Sequence, residues 1–256
     1  MTSPAITLAS YNMRKAVGTD GRRDPARVLA VLREVDADIV ALQEADRRVG
    51  GRASAVPHEL IDSHGDYRPV LLGVKNRRML DRLPRVGARV DALLRVDTRN
   101  IGWHGNALLV KRHVEVMDVA ALELPTLEPR GAVLAELLIG DKPLRVIGLH
   151  LDLSGLWRRR QMRAILDEIA GRREIMPTIL MGDTNEWRSA AGCLKDLDGN
   201  YRIAPTGPSF HARRPVAALD RIIVDRSLTI EDSGVHHSDH ARVASDHLPI
   251  WARVIL

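Results

Sequence analysis

The stretch Ile179-Leu180-Met181-Gly182-Asp183-Thr184-Asn185 decides how this chain is read. An apolar run ends abruptly in a glycine and short polar side chains, which is the pattern of a buried strand closed by a turn. Gly182 lets the backbone turn or come close to a ligand. Asp183 and Asn185 lie two apart and face the same way if the chain stays extended, so a carboxylate and an amide oxygen meet at a strand end. A carboxylate withdrawn from water is costly unless something cationic meets it, so a metal ion or a histidine is expected beside it. Taken alone, Gly-Asp-Thr-Asn is equally good as a tight turn. The same pattern recurs through the chain, and the recurrence gives it weight.

Working outward, Ala5 to Asn12 alternates as a strand and ends in Asn12. Asp24-Pro25 starts a helix, with Asp as cap and Pro at the first position, and Val28, Leu29, Val31, Leu32 and Val35 keep its period. Ile39 to Glu44 is a second buried strand ending in a carboxylate. Arg47 to His64 is irregular, Tyr67 to Val74 reads as a strand, and the Arg-rich segment from Lys75 to Thr98 takes no assignment. Gly105 to Lys111 and Val114 to Leu124 are strand-like. Arg130 to Ile139 and Leu144 to His150 flank Gly140-Asp141-Lys142-Pro143 as a hairpin whose second arm ends in His150. Leu156 to Ala170 is a helix with an Arg-rich outer face, stopped by Gly171. Leu219 to Val224 is a strand with Asp220 at its start, and Ser245-Asp246-His247-Leu248-Pro249 opens the last strand. With strands outnumbering helices, and no repeat or linker, residues 1–256 read as a single α/β domain. Two sheets packed face to face with helices outside would bury every run.

Of the 256 residues 45% are hydrophobic, enough for a sizeable core, but only 3% are aromatic, so aliphatic side chains must do the packing. Lys and Arg number 38 against 33 Asp and Glu, a net charge of +5. Most of the cations are Arg, a residue suited to bidentate contact with phosphate or carboxylate. The single cysteine, Cys193, excludes an intramolecular disulfide and a thiolate metal cluster. Neither a signal peptide nor an apolar membrane span is legible, so a soluble, cytoplasmic protein without stable membrane insertion is expected; a monomer is expected as well. His236-His237-Ser238-Asp239-His240 reads as a solvated loop rather than a metal cluster, its spacing matching no familiar site.

Asn12, Glu44, His150, Asp183 and Asn185 thus end apolar runs, while Asp220, Asp246 and His247 stand at the starts of others. Antiparallel neighbours bring starts and ends to one edge, where all eight could line one pocket. Carboxylate and amide oxygens without thiolate suit a hard cation, Mg²⁺ or Mn²⁺. Two histidines, one with an acid to orient it, suit proton transfer or stabilisation of a charged transition state. Together they suit hydrolysis of a phosphate ester.

At this point the residues carry a resemblance. Ser10-Tyr11-Asn12, Leu42-Gln43-Glu44, Gly105-Asn106-Ala107-Leu108-Leu109, Gly148-Leu149-His150-Leu151, Gly182-Asp183-Thr184-Asn185, Leu219-Asp220-Arg221-Ile222 and Ser245-Asp246-His247-Leu248-Pro249 resemble, in order, the motifs of the endonuclease/exonuclease/phosphatase superfamily. The resemblance is nearer to the histidine-bearing branches, sphingomyelinase-like, DNase-like and phosphatase-like. The resemblance implies a DNase-like four-layer αββα sandwich of two mainly antiparallel sheets and a Mg²⁺- or Mn²⁺-dependent phosphoesterase. Glu44 would be the main metal ligand, with Asn12 beside it and Asp246 completing the site directly or through water. Asp183 would position or deprotonate the attacking water and Asn185 would hold the phosphate. His247, oriented by Asp220, would stabilise the pentavalent phosphorus or act as base, and His150 would contact the phosphate or assist the leaving group. Arg14 and Lys15, which follow Asn12 closely, and Asn106 are the candidates for substrate contact. The substrate is left open among nucleic acid, a phospholipid head group and a small phosphorylated metabolite. A nuclease acting on DNA or RNA is one alternative, and a non-catalytic binding module with the same fold is another.

Overall fold

The computed structural model describes residues 4–45, 55, 67–72, 103–126, 130–188 and 191–256. The readings made for Arg47 to His64 and Lys75 to Thr98 lie largely outside these residues. The element order is β1 (Ala5–Asn12), α1 (Pro25–Val35), β2 (Ile39–Gln43), β3 (Tyr67–Pro69), β4 (Ala107–Lys111), β5 (Glu115–Glu123), β6 (Gly131–Ile139), β7 (Lys142–His150), α2 (Gly155–Ala170), β8 (Thr178–Asp183), β9 (Tyr201–Ile203), β10 (Asp220–Asp225), β11 (Thr229–Val235), α3 (Asp239–Ala244) and β12 (Ile250–Ile255).

The strands form two six-stranded sheets, ordered β11-β12-β1-β2-β4-β3 and β5-β6-β7-β8-β10-β9. Pairing is mainly antiparallel, with one parallel pair in each sheet, β1 with β2 and β7 with β8. Between the sheets lies a core to which both contribute. Ile6, Leu8, Ile39, Leu108 and Ala252 from the first meet Val133, Val146, Ile179, Met181 and Ile222 from the second. The outer face of the first sheet buries Val40, Leu42 and Leu109 under Val28, Val31 and Leu32 of α1 and Ala241 of α3. The outer face of the second buries Ile147, Leu149, Leu180 and Ile223 under Met162 and Ile165 of α2 and Leu194 of a 3-10 helix at 192–200. The order helix, sheet, sheet, helix is the four-layer αββα sandwich. Each fully buried Leu, Ile or Val contributes roughly 1.5–3 kcal/mol of transfer free energy.

Local sequence accounts for most boundaries. Asp24 caps α1 by accepting from the Ala26 N–H at 3.0 Å, with Pro25 first in the helix. α2 ends at Gly171 as expected, but in right-handed rather than left-handed conformation, its N–H reaching Asp167 and Ile169 carbonyls. The histidine-rich segment differs from the expected solvated loop. Ser238 caps α3, and Glu34 of α1 receives His236 Nε2 at 2.9 Å together with Ser238 and His240. The segment is therefore a clamp between α1 and α3, formed because the fold brings Glu34, 202 residues from His236 in sequence, beside it.

Candidate active site

Parallel pairing brings the ends of β1 and β2 together, with Asn12 opposite Gln43 and Glu44 one residue beyond. The chain then leaves β1 through Arg14, Lys15 and Ala16, all with positive φ (46°, 56°, 61°), and Glu44 itself has φ 52°. Non-glycine residues in this region are uncommon and are held by their surroundings. Here the holding contacts are specific. The Arg14 N–H donates to Asn12 Oδ1 at 3.1 Å and the Lys15 N–H to the Glu44 carbonyl at 3.1 Å. The Lys15 ammonium lies 2.9 Å from Glu44 Oε2, and Arg14 Nε lies 3.3 Å from Asp246 Oδ2. Ser245 Oγ donates to the Asn12 carbonyl at 2.7 Å, tying the segment before β12 to the same edge. Asn12, Glu44 and Asp246 thus share one corner, with Arg14 and Lys15 on its two carboxylates.

The second sheet supplies the facing half. In register, His150 pairs with Asp183 across the parallel β7–β8 pair, and Asp183 pairs with Asp220 across the antiparallel β8–β10 pair. Gly182 is required by close approach: a Cβ there would lie 1.8 Å from the Leu149 carbonyl oxygen. Asp183 Oδ1 accepts the Asn185 N–H at 2.9 Å, and Asn185 Nδ2 donates to the Leu151 carbonyl at 2.9 Å. Asp183 Oδ2 is the point of convergence. Asn12 Nδ2 donates to it from the other sheet at 3.0 Å, His150 Nε2 lies 3.6 Å away and His247 Nε2 3.8 Å away. His247 Nδ1 contacts Asp220 Oδ2 at 2.8 Å, and Ser209 Oγ donates to that same oxygen. Asp183, Asp220 and His247 are all buried.

The two histidines are tuned apart. Burial pushes His247 down, but the carboxylate of Asp220 in contact with it, helped by Asp183, carries it up to about 9. Burial of His150 outweighs the attraction of Asp183 and Glu44, and Arg130 adds to the fall, so it drops to about 4. At neutral pH the pair therefore offers one imidazolium and one neutral imidazole.

Asp183, Asp220 and His247 each present a donor atom within 4.8 Å of the others. Those atoms are already engaged with one another, which suits proton handling. Glu44, Asp246 and Asn12 offer oxygen donors alone, the type a hard cation takes, and the Lys15 ammonium and Arg14 guanidinium now meet the two carboxylates where a cation would have to displace them. Asn106 makes none of these contacts. It is buried, with Nδ2 donating to the Gly131 carbonyl at 2.7 Å. Ser209 and Phe210, whose ring lies 4.9 Å from the His247 ring, carried no signal in the sequence. Arg158 stands out of the expected solvated Arg face: it is buried, 3.4 Å from Glu186 Oε2.

A sequence model described as the Endonuclease/Exonuclease/phosphatase family matches residues 9–247. A comparison with curated protein sequences finds no match. Among solved structures, zebrafish (D. rerio) TDP2 in complex with a single-strand DNA product superposes with TM-score 0.71 at 17% identity, covering 98% of this chain and 99% of that one. An endonuclease/exonuclease/phosphatase protein from Beutenbergia cavernae superposes with TM-score 0.68 at 22% identity, covering 98% of this chain and 72% of that one. One from Bacteroides vulgatus does so with TM-score 0.69 at 17% identity, covering 99% of each.

Proposed function

The chain belongs to the endonuclease/exonuclease/phosphatase family, and on that footing we propose that it hydrolyses a phosphodiester or phosphomonoester by in-line attack of water, assisted by Mg²⁺ or Mn²⁺. The observation that carries the reading is the convergence of Asn12, His150 and His247 on one carboxylate oxygen of Asp183. Glu44, Asp246 and Asn12 Oδ1 would hold the cation, which when bound neutralises phosphate charge and eases departure of the leaving oxygen. Asp183 accepts the Asn185 N–H at Oδ1 and the Asn12 amide at Oδ2, and the second lone pair of Oδ2 is the one to orient water and take its proton. Asn185 spends one amide hydrogen on Leu151 and has the other for a phosphate oxygen. His247, with Nδ1 committed to Asp220, presents Nε2–H to the charge that develops on phosphorus. His150, neutral, contacts the phosphate, and Arg14 and Lys15 stand ready for further phosphate oxygens. Asn106 orders the start of β4 against β6 through the Gly131 carbonyl.

Hydrolysis of bis-(p-nitrophenyl) phosphate and of the mono-ester, with Mg²⁺, with Mn²⁺ and with EDTA, tests this. Diester cleavage that EDTA abolishes, and that Asp183→Asn lowers by roughly 10²–10⁴-fold, is expected. Activity unchanged in both Asp183→Asn and His247→Ala would sink the mechanism. No turnover by a folded protein on any phosphoester would favour a non-catalytic module. Nucleic acid is the second reading for the substrate, since the zebrafish TDP2 of this fold is solved with a single-strand DNA product. The same proposal takes the protein as a single domain acting as a monomer in the cytoplasm. Among the described residues no helix is long and apolar enough to cross a membrane.

A further inference from the structure

Eight large apolar side chains are exposed among the described residues, and four of them lie on the segments that adjoin the strand ends of the site. Leu153 (75% exposed) and Leu156 (60%) follow His150; Trp187 (64%) follows Asn185; Val216 (71%) precedes Asp220. His150, Asp183 and Asp220 sit side by side on β7, β8 and β10, so the segments bearing these four side chains leave from or enter one edge. The segments are joined. Arg158 in the first turn of α2 meets Glu186, next to Trp187, at 3.4 Å. The Trp187 ring stands edge-on to Phe210 at 6.4 Å, and the Val216 N–H donates to the Phe210 carbonyl at 2.7 Å. Exposed cations accompany the rim: Arg160 lies over the Trp157 ring at 4.8 Å, and Arg214 is exposed beside Val216.

Exposed apolar side chains gathered on joined segments along one side of a buried polar pocket mark an interaction surface. Its chemistry chooses the partner. Nucleic acid would call for aromatic platforms along a basic groove, and Leu153, Leu156 and Val216 have no π-face to offer a base. Aliphatic side chains with a tryptophan and arginines suit the boundary between lipid head groups and acyl chains, where Trp sits at the interface and Arg meets anionic phosphate. We propose that this rim docks the protein on an anionic phospholipid surface, bringing a head-group phosphate to the Asp183–His247 pocket. The inference rests on the phosphoesterase reading for its orientation, while the docking itself is separately measurable.

The test is co-sedimentation of the full chain with phosphatidylglycerol and with phosphatidylcholine vesicles, alongside a single-strand oligonucleotide as competitor. Bis-(p-nitrophenyl) phosphate hydrolysis is followed in parallel. Expected are binding to phosphatidylglycerol at least tenfold tighter than to phosphatidylcholine, and a blue shift of tryptophan emission. Leu153→Glu with Leu156→Glu should weaken vesicle binding tenfold or more and leave soluble-diester hydrolysis at the wild-type rate. The single change Leu153→Ser should weaken it in the same direction if the double variant does not fold. Absence of vesicle binding by the wild type, binding unaffected by both variants, or displacement by the oligonucleotide overturns the docking surface. Vesicle binding without hydrolysis of any ester would keep the docking and remove the phosphoesterase reading instead.

Discussion

At the scale of the residue, the unexpected participant is Ser209. Its hydroxyl and His247 Nδ1 share a single oxygen of Asp220, whose other oxygen, Oδ1, has no partner among the described residues. The serine therefore helps decide which way the Asp220 carboxylate turns, and through it where His247 points. Ser209→Ala is expected to lower kcat on a soluble diester by about tenfold with KM little changed. In a His247→Ala background the same change should cost nothing further, since residues acting as a unit are not additive. A full tenfold loss in that background, measured by steady-state kinetics, would assign Ser209 some other role. Asp183, His247 and Asp220 were legible in the sequence because each abuts an apolar run. Ser209 was not, because an isolated serine in a loop has no local pattern.

At the scale of the element, two junctions carry the load. The β7–β8 pair needs Gly182, because a methyl group there would overlap the Leu149 carbonyl oxygen. Gly182→Ala should destabilise the protein by about 3 kcal/mol, read as a lower midpoint in urea unfolding. The α1–α3 clamp is electrostatic. Partial burial pushes the Glu34 acid up, but hydrogen bonds from Ser238, His236 and His240 outweigh it and bring it down to about 2. A carboxyl depressed on folding contributes stability that is present above its unfolded value of about 4.3 and lost as pH falls through about 2. Glu34→Gln should accordingly melt lower than wild type at pH 6, by the equivalent of about 1 kcal/mol given the partial exposure of the site. The gap should close as pH approaches 2, and a gap that stays constant across a melting series would remove the clamp. The cap at Asp24 and the hairpin β6–β7 were readable because caps and turns are local. The clamp was misread as a solvated loop because its acceptor, Glu34, lies on another helix.

At the scale of the whole molecule, the core between the sheets draws on β1, β2, β4 and β12 from one side and on β6, β7, β8 and β10 from the other. Neither sheet has a separate way to cover its inner face, so both are expected to unfold in one calorimetric transition as a single domain. Two resolved transitions would divide the chain. The candidate site straddles the same seam through Asn12 and Asp183. A cation held at Glu44 and Asp246, as proposed, would bind only the folded arrangement, so Mg²⁺ at a hundred times its dissociation constant should add about 2.7 kcal/mol of stability. That corresponds to a rise in Tm of roughly 5–10 °C. Glu44→Gln should remove most of the rise, and an unchanged Mg²⁺ response in that variant would place the cation elsewhere.

What the sequence by itself determined was the set of buried strands, the two long helices and the polar residues at strand ends, because periodicity, caps and turn residues act over a few positions along the chain. That His150, Asp183 and Asp220 stand in register, that Asn12 crosses to Asp183, and that Lys15 and Arg14 meet Glu44 and Asp246 was decided only by the tertiary structure. Those contacts depend on strand direction and on the packing of two sheets. The tuning of His247 upward and His150 downward arises at the same level, since burial and neighbouring charge exist only once the sheets have closed on each other.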